Sequence, residues 1–132
     1  MIELIDHTGE VELRVVSPTP EGLYAEALLG LARECLDGDP GQPDERRPVE
    51  LRSSGPDTLL ADLLNEAVYL MDADGFVASD LEDARVEGGA LRGTLAGRRE
   101  PGARALVKAA TYHGLSVRPA DGGWEGRVVL DV

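Results

Sequence analysis

The amino-acid sequence predicts an α+β fold in which two helices pack on a mostly antiparallel sheet. Two segments carry apolar residues at helical spacing, and each begins with a proline. The other ordered segments alternate apolar with polar residues, and glycine-containing pairs separate several of them, as in β-hairpins. Helices that are segregated from antiparallel strands define the α+β class. A chain of 132 residues predicts a single domain spanning residues 1–132.

Two strands are predicted at the start of the chain. The first spans Met1–His7, and the second spans Glu10–Val16. In the second strand Val11, Leu13 and Val15 alternate with charged residues, which predicts one buried face and one exposed face.

Two segments with helix-start signals predict two helices. Thr19-Pro20-Glu21 supplies a hydroxyl N-cap, a proline at the first position and an acid in the first turn, and Gly55-Pro56-Asp57 opens the second helix. Residues 37–48 are predicted to form a mobile loop, and a short strand is predicted at residues 49–53. The inward-facing residues are expected to be Leu23, Ala27, Leu31 and Cys35 in the first helix, and Leu60, Leu63, Leu64, Ala67, Leu70 and Met71 in the second.

The chain after Gly75 is predicted to consist of antiparallel strands. Their expected bounds are residues 76–86, 90–97, 103–112, 115–118 and 124–131. Three two-residue connections suit hairpin turns: Gly88-Gly89, His113-Gly114 and Gly122-Gly123.

The composition excludes several classes of function. A net charge of −12 and a pI near 4.4 argue against direct binding to nucleic acid, because a phosphate backbone repels such a surface. The single cysteine, Cys35, excludes an internal disulfide and a thiolate zinc cluster, and its place on an apolar stripe predicts a buried thiol. Neither a signal-peptide pattern nor a run of about 18 apolar residues is present, so we expect a soluble, cytoplasmic protein without membrane contact.

One apparent calcium motif fails on spacing. Asp72-Ala73-Asp74-Gly75 suggests an EF-hand loop, but aligning Gly75 with the invariant loop glycine places Leu70 at the first ligand position and Leu81 at the last. A helix end followed by a turn is the better interpretation.

Three other segments carry candidate chemistry. Asp6-His7-Thr8-Gly9-Glu10 places two acids and a histidine in a turn between strands, and Asp131 is an acid inside an apolar terminal strand. Lys108, in an apolar segment that ends at His113, is the only lysine among 13 basic residues. Lysine offers a compact point charge that the wide arginine fork cannot replace, so a solitary lysine indicates a specific role or an accident of composition. Carboxylates and histidine brought together would form a hard-cation site or an acid–base group.

In order, the motifs of this chain resemble those of the archease family. The resemblance covers essentially the whole chain. Its motifs are the Asp6-His7-Thr8 opening, the capped first helix, the leucine-rich second helix leading into Asp72-x-Asp74-Gly75-Phe76, the Val107-Lys108-Ala109-x-Thr111-Tyr112-His113 strand, and the ending Gly122-Gly123-Trp124-Glu125-x-x-Val128-Val129-Leu130-Asp131.

The resemblance implies a small α+β protein cofactor of RtcB-family RNA ligases, which seal RNA ends in tRNA splicing and RNA repair. Such a protein is not itself the ligase, but promotes guanylylation of the ligase histidine and repeated turnover. The implied functional residues are Glu10, Lys108 and Asp131, with Asp6 and His7 beside them. The family usually has Asp at the position of Glu10, so the carboxylate here reaches one methylene further.

A divalent cation is the expected cofactor. The expected ligands are Glu10, Asp131 and Asp6, and oxygen-only ligation favours calcium, magnesium or manganese over zinc. Two alternatives remain: a chaperone-like binding module for an RNA-modifying enzyme, and a small metal-dependent hydrolase that would use Asp6, His7, Lys108, His113 and Asp131.

Overall fold

The computed structural model describes residues 1–100, 103 and 105–132. Its described residues form two helices and seven strands. In chain order these are β1 (Ile2–His7), β2 (Glu10–Ser17), α1 (Pro20–Leu36), β3 (Glu45–Arg52), α2 (Pro56–Asp74), β4 (Phe76–Glu87), β5 (Ala90–Arg99), β6 (Ala109–Ala120) and β7 (Gly123–Asp131).

The strands form two antiparallel sheets. The large sheet has the order β1-β2-β7-β6, and the small sheet has the order β3-β5-β4. Both helices contact strands of both sheets. The predicted α+β class is therefore confirmed, with the strands divided between two sheets.

The large sheet has one apolar face and one polar face. On β2 the side chains of Val11, Leu13 and Val15 are buried, as the alternation predicted, and Val128 and Leu130 of β7 are buried with them. This face packs against the helices. Full burial of a leucine or valine side chain stabilises a fold by about 1.5–3 kcal/mol, so this row fixes the register of β2 against β7. The opposite face of the large sheet, here called the open face, carries the charged residues.

Helix α1 begins and ends as its sequence predicts. The N–H of Gly22 donates to Thr19 Oγ1 at 3.0 Å, which satisfies one donor of the first turn. Asp37 terminates the helix in a left-handed conformation with φ 54°. Cys35 is buried as predicted, and burial raises the pKa of its thiol.

Strand β3 begins four residues earlier than predicted. The charges and Pro48 predict a loop at residues 45–48, but these residues pair with β5 in regular register. β3 is an edge strand of the small sheet, and an edge strand tolerates a proline because one side of its backbone has no partner strand. The loop is therefore limited to residues 37–44.

The predicted hairpin at His113-Gly114 is wrong. The two strands expected on either side of it are one strand, β6, which begins at Ala109 rather than at residue 103. Thr111 pairs with Val129 and Ser116 pairs with Arg127, so the four residues between Thr111 and Ser116 lie opposite Val128 alone. Residues 112–115 thus form a wide bulge, which Gly114 accommodates with φ +70°. Arg104, in the predicted strand, lies outside the described residues.

The other two predicted turns are present. Glu87 pairs with Ala90, which places Gly88-Gly89 at the turn as predicted. Ala120 pairs with Gly123, so the last turn is Asp121-Gly122, one residue earlier than expected.

Polar side chains of α2 cover the outer edge of β6 and the segment before it. β6 is an edge strand of the large sheet, so its outward N–H and C=O groups need partners other than a strand. Four side chains of α2 make these hydrogen bonds. Asp72 accepts from the N–H of Ala105, and Asn65 bonds to both backbone groups of Ala110. Asp62 accepts from the hydroxyl of Tyr112, and Asp57 accepts from the N–H of Val117. Because successive contacts move backward along α2, the segment from Ala105 to Val117 runs antiparallel to the helix.

Asn65 makes the most complete of these contacts. Its Oδ1 accepts from the N–H of Ala110 at 2.8 Å, and its Nδ2 donates to the Ala110 carbonyl at 3.0 Å. The amide therefore replaces a neighbouring strand at a residue that is 4% exposed. A buried donor or acceptor that loses its partner costs about 1–3 kcal/mol.

We expect Asn65→Ala to lower the free energy of unfolding by about 1–3 kcal/mol. Urea denaturation followed by circular dichroism measures the loss. Glu66→Ala, one residue along the same helix, is the matched control and should change stability by less than about 0.5 kcal/mol. Equal stability of both variants would show that water replaces the Asn65 amide without cost.

Candidate functional site

All of the predicted site residues except Asp6 meet at one end of the large sheet. Glu10 is the first residue of β2 and Asp131 is the last residue of β7, and the two lie directly opposite each other. His7 ends β1 opposite Glu10, and Ala109 begins β6 opposite Asp131. Residues directly opposite across antiparallel strands project from the same face. His7, Glu10 and Asp131 therefore form one row on the open face.

Lys108 lies beside this row, immediately before β6 rather than within the predicted strand. Its backbone N–H donates to the Asp131 carbonyl at 2.7 Å, so its main chain is fixed against β7. The neighbouring Val107 is fully buried, which anchors the segment, whereas the Lys108 side chain is exposed. The backbone thus holds the lysine next to Asp131 and leaves the ammonium group accessible.

Glu10 and Asp131 form a like-charge pair. The Cβ atoms of directly opposite residues are about 4.5–5.5 Å apart, and like charges at that spacing destabilise a sheet. In the part of the chain that the structure describes, neither carboxylate makes an ion pair. Two adjacent oxygen donors with no cationic side-chain partner are the donor set that a hard divalent cation takes.

Asp6 is not brought together with these two acids. It lies opposite Val11, a buried residue on the helix-covered face, so it projects from the face opposite the open face. Its charge acts there on α1: after burial, Asp6 is the largest cause that raises the pKa of Glu34. Across the described ranges, no three Asp, Glu, His or Cys side chains are arranged to hold a metal ion.

The bulge of β6 separates His113 from the row. It begins after Thr111, whose partner Val129 lies two residues before Asp131. The Tyr112 hydroxyl donates to the Asp62 carboxylate, and this hydrogen bond raises the pKa of Tyr112. Both Tyr112 and His113 are exposed. The acid–base group that would combine His113 with Asp131 therefore has no support in this arrangement.

Glu125 is a structural residue to which the sequence assigned no role. Its buried carboxylate lies at the centre of the open face and accepts from Arg14 Nε at 2.9 Å, Arg127 Nε at 3.3 Å and Arg118 at 3.4 Å. The hydrogen bond from Arg14 is the main cause that holds the pKa of Glu125 below its usual value. The three arginines come from three strands, so no local pattern could have indicated the cluster.

Within the described residues, neither helix is long and apolar enough to cross a membrane.

Known proteins match this chain along almost its entire length. The model of the Archease protein family matches residues 2–132. Protein archease from Methanopyrus kandleri is 36% identical over 140 residues, covering 98% of this chain and 98% of that protein.

Solved structures share the fold. The solution structure of protein 1598 from Methanobacterium thermoautotrophicum superposes with a TM-score of 0.80 at 26% identity, covering 99% of this chain and 98% of that one. The crystal structure of an archease and possible chaperone from Thermotoga maritima gives a TM-score of 0.67 at 21% identity, covering 100% and 98%. Because the family model matches residues 2–132 and the Methanopyrus relative is 36% identical over 98% of this chain, the chain belongs to the archease family.

Proposed function

We propose that this protein activates an RtcB-family RNA ligase, promoting guanylylation of the ligase and its repeated turnover in tRNA splicing or RNA repair. The protein is not the ligase itself. The observation that carries the proposal is the meeting of Lys108, Glu10 and Asp131 at one end of the large sheet. These residues come from distant segments, and they are the ones that resemblance to archeases assigns to ligase activation.

Glu10 and Asp131 are the residues that would hold a divalent cation. Calcium takes six to eight oxygen ligands and magnesium takes six. Two carboxylates fill only some of these coordination positions. Water or oxygen groups of the ligase would fill the others, which favours a cation site that gains its remaining ligands in the complex. When bound, the cation supplies a positive charge that neutralises the two carboxylates and attracts phosphate oxygens.

Lys108 is suited to contact a phosphate in the active site of the partner. Its ammonium group is compact and hydrated, and the exposed side chain is long enough to reach beyond the sheet edge. A charge-assisted hydrogen bond to a phosphate oxygen is stronger than a neutral one. The lysine would therefore orient the nucleotide phosphate during guanylyl transfer, while its backbone bond to Asp131 fixes its position relative to the carboxylates.

The surface around the row suits a protein partner. Leu106 lies two residues before Lys108 and is 61% exposed, and Tyr112 is 59% exposed four residues after it. Exposed large apolar side chains beside a polar site are typical of an interface. The net charge of −12 complements a basic, RNA-handling ligase and opposes direct binding of RNA.

Multiple-turnover RNA joining by the ligase of the same organism tests the proposal. The protein alone is expected neither to join RNA ends nor to retain RNA at physiological salt, yet to increase both ligase guanylylation and turnover. Unchanged turnover at equimolar protein, or tight RNA binding by the purified protein, would contradict it.

A chaperone-like binding module is the second candidate, because the Thermotoga maritima relative is described as a possible chaperone. Capture of partners from native lysate separates the two functions. Enrichment of the ligase supports activation, whereas enrichment of other RNA-modifying enzymes without the ligase supports the second candidate.

A further inference from the structure

Two arginines lie directly opposite each other on the outer face of the small sheet. Arg92 of β5 pairs with Arg85 of β4 on one side and with Glu50 of β3 on the other. Like charges at directly opposite positions destabilise a sheet. In a protein with 25 acidic and 13 basic residues, such a pair is not the arrangement expected from composition.

A strained bulge creates this pairing. Glu82 lies opposite Thr94 and Arg85 lies opposite Arg92, so β4 holds one more residue than β5 between the two pairs. Asp83, in the bulge, has φ +52°, a left-handed conformation that costs a non-glycine residue about 1–3 kcal/mol. Without the extra residue Ala84 would face Arg92. Bulges and strained backbone are over-represented at functional sites, ligand-binding sites among them.

The same protein contains a second arginine pair that is neutralised. Arg14 and Arg127 are also directly opposite, and the buried carboxylate of Glu125 lies within 2.7 Å of Arg14 and 3.3 Å of Arg127. In the part of the chain that the structure describes, Glu50 is the one acid whose carboxylate is in ion-pair contact with Arg92, at 3.9 Å. Among the described residues, Arg85 makes no ion pair. The two pairs thus differ by one bridging anion.

A depression of about 440 Å³ lies at this pair. Arg52 adds a third guanidinium, and Glu50 and Glu87 lie on the same lining, which gives the five charged groups a sum of +1. Three guanidiniums match the oxygens of a tetrahedral anion, since each can donate two parallel hydrogen bonds. The two carboxylates and the overall charge of −12 disfavour a long polyanion such as RNA.

We propose that Arg52, Arg85 and Arg92 form a binding site for a compact, doubly charged oxyanion: free phosphate or the terminal phosphate of a monoester. The anion takes the bridging position that Glu125 holds between Arg14 and Arg127. This site lies in the small sheet, away from the row of Glu10 and Asp131, and it does not depend on the proposed ligase activation.

Titration of the ¹⁵N-labelled protein with inorganic phosphate, at constant ionic strength and pH 7.5, tests the site. Saturable shifts are expected in the amide signals of residues 85–92 and in the Nε–H signals of the three arginines. A second arm compares adenosine monophosphate with adenosine, and only the phosphorylated compound should reproduce the shifts. Preference for the nucleotide over inorganic phosphate would identify a monoester as the source of the anion.

Arg85→Gln is the test variant, and Arg46→Gln is its matched control. Arg46 lies on the same outer face but outside the depression, where it makes an ion pair with Glu82. The control therefore removes the same charge from the same face without removing a residue of the proposed site. We expect Arg85→Gln to weaken phosphate binding at least tenfold and the control to leave it within twofold. The amide spectrum of each variant verifies the fold. Shifts that stay linear in phosphate, or equal losses in both variants, would overturn the proposal.

Discussion

Lys108→Arg is expected to abolish most of the ligase stimulation although it preserves the charge. The guanidinium is wider and less strongly hydrated than the ammonium group, so it cannot occupy the same volume beside a phosphate. We expect turnover in the presence of the variant to fall by at least about tenfold, equivalent to about 1.4 kcal/mol. Lys108→Ala should lose stimulation to a similar degree. Multiple-turnover RNA joining with equal protein concentrations measures both.

The Lys108 variants should remain folded. The side chain is exposed, and the hydrogen bond to Asp131 is made by the backbone, so the free energy of unfolding should change by less than about 0.5 kcal/mol. Arg33→Lys, an exchange of the same two residue types at a partly exposed helix position, is the control and should leave stimulation unchanged. Stimulation by Lys108→Arg close to that of the wild type would show that charge alone suffices, and that the solitary lysine is an accident of composition.

Glu10→Gln and Asp131→Asn are each expected to weaken binding of calcium, magnesium or manganese by at least about tenfold, which is about 1.4 kcal/mol. Each variant keeps the shape of its side chain and removes one of the two anionic ligands. Without cation, each should melt at or above the wild-type temperature, because the like-charge repulsion between β2 and β7 is relieved. With cation, the wild type should gain more stability than either variant, since binding to the folded state raises the free energy of unfolding by an amount that increases with the affinity. Calorimetric titration measures affinity, and melting with and without chelator measures stability.

Asp6→Asn provides the geometric control for that experiment. Because Asp6 projects from the helix-covered face, its substitution should leave cation affinity within about twofold of the wild type. The titrations are repeated with the ligase present, since the partner supplies ligands in the proposed complex. Equal affinities in the wild type, Glu10→Gln and Asp131→Asn under both conditions would eliminate the cation site without affecting the test of Lys108.

Several errors in the predicted secondary structure have one physical cause. The sequence signals of turns, Gly and Pro, are also the signals of bulges and of edge strands. His113-Gly114 predicts a hairpin, but α2 side chains hold the chain on both sides of it in one strand. Asn65 and Asp62 bind Ala110 and Tyr112 before the segment, and Asp57 binds Val117 after it. Pro48 predicts a loop, but the edge position of β3 accommodates the proline within a strand. In both cases a neighbour distant in sequence decides between two structures that the local pattern permits.

The sequence by itself determined the two helices, the alternating faces of β2 and β7, and the identity of the residues in the row. The helices and the strand faces follow from local propensity and from the period of the apolar residues. The residues of the row were indicated by their side-chain chemistry and by the resemblance to archeases. It also determined that the chain resembles archeases, because the motifs follow one another in a fixed order.

Only the tertiary structure decided which candidates meet. The register of β2 against β7 places Glu10 with Asp131 on the open face. The register of β1 against β2 turns Asp6 toward α1, although Asp6 and Glu10 are only four residues apart. The sheet order places the start of β6 beside the end of β7, which brings Lys108 to Asp131. Strand order and register result from packing the buried residues of both helices against two sheets, a balance over the whole core that no single segment contains.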